Sequence, residues 1–183
     1  MQPKDLLRKK YFSLRKKKYF EIKKLFFLPF TKLSKKKFSN KKINISIYYP
    51  SSFELNVLKL FEIDYVTRQT ILLPVIEENN SMNFFKWKEN DVLFVNKYGM
   101  LEPIKSKAVV PNVIIVPLLA FDKKKNRLGY GKGFYDRYLN RYLKKFNNII
   151  TIGIAFSFQK YHKLPVKNND VKLDYILTEK GIF

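Results

Sequence analysis

The chain has no cysteine and few acidic residues. Its 183 residues include 37 lysines and arginines but only 15 aspartates and glutamates, which gives a formal net charge of +22. The absence of cysteine excludes disulfides and thiolate chemistry, and it leaves the redox compartment undetermined. The single histidine, His162, matches no motif and is expected to be a surface residue.

Long apolar runs are also missing. No stretch approaches the roughly 18 consecutive apolar residues that a membrane helix requires. The longest early run, residues 25–30, is interrupted by Pro29 and flanked by lysines, so it is neither an anchor nor a signal peptide. We therefore expect a soluble, cytoplasmic protein with no membrane partner.

The excess of positive charge has two interpretations. A charge this large attracts nucleic acid and other anions. However, the chain is rich in Lys, Asn, Ile, Phe and Tyr together, as an AT-rich coding sequence would produce, and its lysines are spread along the chain. We favour the compositional explanation and expect no specific nucleic-acid partner. A basic nucleic-acid-binding module without enzymatic activity is the alternative.

Apolar periodicity predicts a single α/β domain over residues 1–183. Hydrophobic residues make up 46% of the chain, and its strand-like runs show little alternation, which is typical of a parallel sheet buried on both faces. We expect a three-layer, mostly parallel open sheet with helices on both faces. The predicted strands cover residues 43–49, 70–76, 113–119, 149–156 and 171–177, with a hairpin of 82–87 and 91–95. The predicted helices are two within residues 2–39, one over 53–61 capped by Ser51 and Ser52, and one over 134–146.

Three of the six glycines fall within five residues. Gly129, Gly131 and Gly133 surround Lys132 in the stretch RLGYGKGFYDRYL, residues 127–139, between a predicted strand and a predicted helix. Glycine permits positive φ and close backbone approach, and amides at a helix start bind phosphate or other anions. The spacing matches neither the dinucleotide fingerprint nor the Walker loop. A phosphate site is indicated, and a tight structural turn is the competing interpretation.

Several other residues have ordinary structural explanations, without a functional role, when only their sequence neighbours are considered. Lys4 and Arg8 share a helix face, but in so basic a chain a solvated face explains them. Glu54 lies in the first turn of a predicted helix, where the helix dipole favours a carboxylate. Tyr98 lies in a turn. Asp136 would repel a nearby phosphate unless Mg²⁺, which prefers oxygen ligands, lies between them.

The stretch PNVIIVPLLAFDKKKNRLGYGKGFYDRYL, residues 111–139, resembles the signature region of the 5-formyltetrahydrofolate cyclo-ligase, or methenyltetrahydrofolate synthetase, family. The resemblance extends over nearly the whole chain. It includes the spacing of Lys4, Leu7 and Arg8, the run INISIYY followed by Glu54, the turn NKYGMLEP, and the C-terminal VKLDYILTEKG.

The resemblance implies a reaction and two substrates. Enzymes of this family convert 5-formyltetrahydrofolate to 5,10-methenyltetrahydrofolate, with ATP as co-substrate and Mg²⁺ required. The formyl oxygen is phosphorylated, and the ring then closes with loss of phosphate. The resemblance also favours a monomer. A folate-binding protein without catalysis is a further alternative.

The resemblance also implies which residues form the site. The catalytic residues would be Lys132, Arg127 and Tyr135. ATP would be bound by Lys4, Arg8, Arg127, Leu128, Gly129, Tyr130, Gly131, Lys132, Gly133, Phe134 and Tyr135. Folate would be bound by Tyr49, Glu54, Tyr98 and Tyr130, and Mg²⁺ by Asp136 and Asp174. Leu118 stands where the family usually has glycine, and the Glu54 segment lacks the usual neighbouring Met and Thr, so we expect altered folate contacts rather than an altered ATP loop.

Overall fold

The protein is described by a computed structural model that covers residues 2–183. Two helices open the chain, α1 (Lys4–Lys18) and α2 (Leu28–Phe38), as predicted. A short 3₁₀ helix, Lys24–Phe27, leads into α2. Pro29 lies in the first turn of α2, where the missing amide proton breaks no intrahelical hydrogen bond. No helix within residues 2–183 is both long and apolar enough to cross a membrane.

Seven strands form the main sheet, and most of them are parallel. Residues 2–183 contain eleven strands, of which β4 with β5 and β7 with β8 form two separate two-stranded sheets. They are β1 (Asn44–Ser46), β2 (Thr70–Ile76), β3 (Met82–Lys86), β4 (Leu93–Val95), β5 (Leu101–Pro103), β6 (Val113–Pro117), β7 (Ala120–Phe121), β8 (Arg127–Leu128), β9 (Ile150–Ile154), β10 (Tyr175–Thr178) and β11 (Gly181–Ile182). The sheet order is β11-β10-β9-β6-β1-β2-β3, and only the two edge strands run antiparallel to their neighbours. The predicted parallel sheet is confirmed.

Two apolar layers cover the sheet. The remaining helices are α3 (Asp64–Thr67) and α4 (Phe134–Tyr142). Because side chains alternate along a strand, Ile115 of β6 joins the core on one face with Phe30 of α2, whereas Ile114 joins the other core with Tyr138 and Leu139 of α4. The three-layer arrangement with helices on both faces is therefore confirmed.

The predicted hairpin of residues 82–87 and 91–95 is wrong. β3 pairs with β2 along five residues, since its buried Met82, Phe84 and Phe85 extend the apolar surface of that strand. β4 pairs instead with β5. The turn between β4 and β5 contains Gly99, whose φ of +75° suits glycine.

The predicted helix over residues 53–61 is also wrong. Ser52 and Phe53 have φ values of +48° and +62°, which no right-handed helix allows. A 3₁₀ helix forms later, at Val57–Glu62, and the Asn56 side chain accepts a hydrogen bond from its first turn. Glu54 consequently lies in a turn, and the dipole explanation for its position no longer applies.

The chain brings two distant segments to the carboxyl edge of the sheet. β6 ends at Pro117, and the Leu119 amide, just before the β7–β8 ribbon, donates to the carbonyl of Leu128 at the end of that ribbon at 2.8 Å. The glycine loop that follows Leu128 is therefore held beside the end of β6. The turn with Glu54 follows the neighbouring strand β1, in the region where parallel sheets bind ligands.

Candidate active site

The glycine loop leads directly into α4. Gly131 and Gly133 have φ values of +103° and +71°, so both positions favour glycine. Arg137, one turn into α4, donates back to the Lys132 carbonyl at 2.9 Å and stabilises the loop from the helix side. The Lys132 side chain is exposed, and its Nζ lies 5.6 Å from the centroid of the Tyr98 ring.

The predicted phosphate-binding cations are held near this loop by acceptors of the protein itself. Arg8 donates through Nε to the Gly129 carbonyl at 2.9 Å. Arg127 forms an ion pair with Asp136 at 2.8 Å and lies over the Tyr135 ring, with its side chain 5% exposed. Cations already oriented in this way lose little further conformational entropy when they bind an anion.

Lys4 reaches the same region through a residue that the sequence predictions did not include. Its Nζ forms an ion pair with Asp170 at 2.5 Å. The amide of the next residue, Val171, donates to Oδ1 of Asp136 at 3.2 Å. Asp170 and Asp136 are therefore neighbours at the start of α4.

Arginine usage is a further sequence signal for the site, and it also marks Arg15 and Arg137, which were not predicted. Only six of the 37 basic residues are arginines, and four of them contact the glycine loop or lie against it. Those four are Arg8, Arg15, Arg127 and Arg137. Arginine offers a planar fork of donors that lysine lacks, so its retention in a lysine-rich chain marks positions of defined geometry.

Glu54 is joined directly to the glycine loop. The Tyr130 hydroxyl donates to Oε1 of Glu54 at 2.5 Å, and the Ser51 amide donates to Oε2 at 3.0 Å. Glu54 is 8% exposed. Burial raises the pKa of this carboxyl, while the hydrogen bonds from Tyr130 and Ser51 and the charge of Arg15 oppose the rise.

Three tyrosine hydroxyls lie close enough to Glu54 to interact with its charge. Burial raises the pKa of Tyr48 and Tyr130 well above the usual value and also raises the pKa of Tyr135, so all three are neutral. Tyr48 donates to the Leu55 carbonyl at 2.9 Å. The Tyr135 hydroxyl has no hydrogen-bond partner within residues 2–183, so its donor is available to a substrate.

A cavity of about 350 Å³ opens beside Glu54, large enough for part of a small ligand. Tyr49 lines it, with its ring 6.2 Å from the Trp87 ring. Tyr98 does not line this cavity. It packs against Phe134 at 5.6 Å, on the side of the glycine loop. The structure thus places Tyr49 and Glu54 in the cavity and Tyr98 above the loop.

Asp174 is not brought to the glycine loop. It lines a larger cavity of about 520 Å³ at the amino ends of β9 and β10, where Thr151 donates to its Oδ2 through both amide and hydroxyl at 2.8 Å. Thr151 pairs with Ile114, five residues before Leu119, or about 16 Å of extended strand. We place the site at the smaller cavity because the buried carboxylate, the free hydroxyl and the arginines converge there.

The residues beside the loop fit a magnesium ion. Within residues 2–183 there is no group of three or more His, Cys, Asp or Glu arranged to hold a metal. Mg²⁺ needs no such group, because it commonly binds one or two carboxylates and completes its shell with water and phosphate oxygens. Asp136 and Asp170 meet that requirement, whereas Asp174 does not.

Leu118 does not block backbone approach at the end of β6. Its side chain points into the core, where a Cβ on Gly153 would lie 2.7 Å from it. Its carbonyl accepts hydrogen bonds from Gln159 and Arg15. The leucine is therefore accommodated by the glycine on the next strand. His162 is exposed, as predicted, and packs against Tyr161.

Comparison with known proteins identifies the family. The sequence model of the 5-formyltetrahydrofolate cyclo-ligase family matches residues 4–179. A 5-formyltetrahydrofolate cyclo-ligase from Haemophilus influenzae is 32% identical over 141 residues, covering 73% of this chain and 74% of that protein. The corresponding protein from Escherichia coli K12 is 29% identical over 146 residues, covering 76% and 79%.

Solved structures agree with the sequence comparisons. The 5,10-methenyltetrahydrofolate synthetase of Aquifex aeolicus superposes with a TM-score of 0.76 at 29% identity, covering 98% of this chain and 91% of that one. The synthetase from Mycoplasma pneumoniae gives 0.70 at 25% identity, covering 96% and 98%. The chain therefore belongs to the 5-formyltetrahydrofolate cyclo-ligase family of enzymes, as the sequence resemblance predicted.

Proposed function

We propose that this protein converts 5-formyltetrahydrofolate to 5,10-methenyltetrahydrofolate and in the process converts ATP to ADP and phosphate, with the formyl oxygen rather than water accepting the γ-phosphoryl group. One observation carries the proposal beyond family membership. The hydrogen bond from Tyr130 to Glu54 joins an anion-binding glycine loop to a buried carboxylate at a cavity, so two substrate sites share one centre. We also propose that the protein acts as a monomer, as its resemblance to the family implies.

The reaction needs ATP because a formamide oxygen is a poor leaving group. The formyl oxygen attacks the γ-phosphorus, the bond to ADP breaks, and an iminium-type phosphate forms. The folate nitrogen N10 then adds to that carbon and loses its proton. The phosphate departs with the former formyl oxygen. Transfer of this kind depends mainly on positioning and charge neutralisation.

The loop residues meet those needs on the nucleotide side. The amides of Gly129, Gly131 and Gly133 would approach the triphosphate, with Arg8 and Arg127 holding its charge. Lys132 is exposed and forms no ion pair within residues 2–183, and it would neutralise the transferring phosphate. The neutral hydroxyl of Tyr135 would donate to the formyl oxygen or the phosphate.

Glu54 and its surroundings serve the folate side. A pterin ring presents N–H donors on one edge, and an ionised carboxylate is the complementary acceptor. Glu54 and Tyr49 line the same cavity, which would hold the ring. Tyr98, over Lys132, would contact the part of folate that approaches ATP.

Mg²⁺ would be held by Asp136 and Asp170. When bound, it neutralises charge on the phosphate oxygens. In the structure these two carboxylates hold Arg127 and Lys4, so the same residues orient the cations that face the triphosphate.

The decisive experiment mixes purified protein with 5-formyltetrahydrofolate and Mg-ATP. We expect the absorbance of the methenyl product to rise together with one ADP per product. Folate binding without product would favour the non-catalytic alternative. No turnover, together with nucleic-acid binding that weakens steeply with salt, would favour the basic module instead. Either result contradicts the proposal.

A further inference from the structure

Arg15 is a buried cation to which the reaction above gives no role. Only 2% of its surface is exposed, although it is followed on α1 by three exposed lysines. Burying a guanidinium is costly unless its N–H groups are satisfied and its charge is balanced. The groups around Arg15 therefore indicate what it does.

The guanidinium connects three segments at the carboxyl edge of the sheet. Nη2 donates to the Ser52 carbonyl at 2.8 Å, in the turn that carries Glu54. Nη1 donates to the Leu118 carbonyl at 3.4 Å, just after β6. Cζ lies 5.5 Å from the centroid of the Tyr130 ring in the glycine loop. One side chain thus fixes the turn, the strand end and the loop relative to one another.

The charge of Arg15 also acts on Glu54, although the two side chains form no ion pair. Within residues 2–183 Arg15 forms no ion pair with a carboxylate. Its charge nevertheless lowers the pKa of Glu54 against the effect of burial. The other titratable groups that face Glu54 are Tyr48, Tyr130 and Tyr135, and all three are neutral. Arg15 is therefore the positive charge that favours ionised Glu54.

We propose that Arg15 is a positioning residue for folate, an inference that rests on the proposed function. It holds the Glu54 turn and the Tyr130 ring in place at the folate cavity without touching the reacting atoms. A lysine cannot take over this role, because one ammonium lacks the planar fork that reaches two carbonyls while stacking on a ring. Arg15 lies seven residues after Arg8, on the same face of α1. In this proposal α1 contributes Arg8 to the ATP site near its start and Arg15 to the folate site near its end.

The test compares Arg15→Met and Arg15→Lys with Arg68→Lys, an exposed arginine, as the control. In Arg15→Met we expect the KM for 5-formyltetrahydrofolate to rise roughly 10- to 100-fold, the cost of losing hydrogen bonds to a charged donor. The KM for ATP stays within about twofold. Arg15→Lys lies between the wild type and Arg15→Met, and Arg68→Lys matches the wild type.

The pH dependence of folate binding separates positioning from general stability. Without the charge of Arg15, the pKa of Glu54 rises, so the pH below which folate binding fails moves upward in Arg15→Met. It does not move in Arg15→Lys, which keeps the charge. If Arg15→Met does not fold, the folate-specific KM change in Arg15→Lys decides the matter.

Two results would overturn the inference. One is an equal rise in the KM for ATP and for folate, which indicates a merely structural role. The other is an unchanged KM for folate in both variants while the wild type binds folate normally. Absence of folate binding by the wild type would instead overturn the proposed function, and this inference with it.

Discussion

Tyr130 donates a hydrogen bond to Glu54 at 2.5 Å, across 76 positions of sequence. Tyr130 belongs to the glycine loop, whereas Glu54 belongs to the turn beside the cavity that we propose binds folate. The bond therefore orders the two substrate segments together. It also lowers the pKa of Glu54 against the effect of burial, which raises it.

Glu54→Gln should remove activity and make the protein more stable at neutral pH. The pKa of Glu54 is raised in the folded state, so the folded chain binds more protons than the unfolded chain between the unfolded and folded pKa values. Stability contributed by the protonated form is lost as pH rises through that window. Relative to the wild type, the variant should gain more unfolding free energy at pH 8 than at pH 5, with folate affinity roughly 100-fold lower.

Urea denaturation at the two pH values measures this effect. Glu78→Gln is the control, because Glu78 is exposed and forms no ion pair within residues 2–183. An equal stability change at pH 5 and pH 8 would contradict the assigned pKa direction.

Lys132→Ala should lower kcat by roughly 100- to 1,000-fold, as expected for loss of a group that stabilises transition-state charge. The side chain is exposed and forms no ion pair within the described residues, so the melting temperature should hardly change. Lys97→Ala is a matched control, since its Nζ also lies over the Tyr98 ring, at 5.4 Å. Steady-state kinetics of both variants checks the difference, and an equal loss in Lys97→Ala would argue against a specific role for Lys132.

Gly131→Ala should weaken ATP binding, whereas Gly181→Ala should not. Both glycines have φ near +110°, at +103° and +117°, so each substitution costs about 1–3 kcal/mol of backbone strain. Only at Gly131 would the new Cβ approach Arg8, at 3.3 Å, while nothing lies within 4 Å at Gly181. Titration with a non-hydrolysable ATP analogue measures the affinity. Similar losses in both variants would show that strain alone, not the site, controls binding.

Asp136→Asn and Asp170→Asn should each raise the Mg²⁺ concentration needed for half-maximal activity. Asp174→Asn should leave it unchanged and lower only stability, because its carboxylate is used by Thr151. Activity measured across a Mg²⁺ titration tests all three. A shift in Asp174→Asn without one in Asp170→Asn would restore the sequence-based assignment.

Local sequence was sufficient to predict the structure of segments whose conformation is determined by their own residues. The largely apolar run TILLPVI at 70–76 forms the strand Thr70–Ile76, and the three clustered glycines form a loop before a helix. Local sequence did not predict the structure where contacts between distant residues determine the backbone conformation. The turn at Ser52 and Phe53 is left-handed and is held by Arg15 from α1, so the expected helix does not form.

The site residues show the same division. Glycines and tyrosines of the loop could be named from their spacing and from resemblance. Asp170 and Arg15 could not, because their partners lie far along the chain. Lys4 and Asp170 are 166 positions apart, and Arg15 and Leu118 are 103 apart. Only the folded sheet shows that these residues meet at one edge.

The central claim is that one centre transfers phosphate from ATP to the formyl oxygen of folate. The most direct measurement uses 5-formyltetrahydrofolate labelled with ¹⁸O in the formyl group, together with Mg-ATP, and analyses the released phosphate by mass spectrometry. The account predicts one ¹⁸O atom in the phosphate for each methenyl product formed. Unlabelled phosphate, with the ¹⁸O recovered in water, would contradict it.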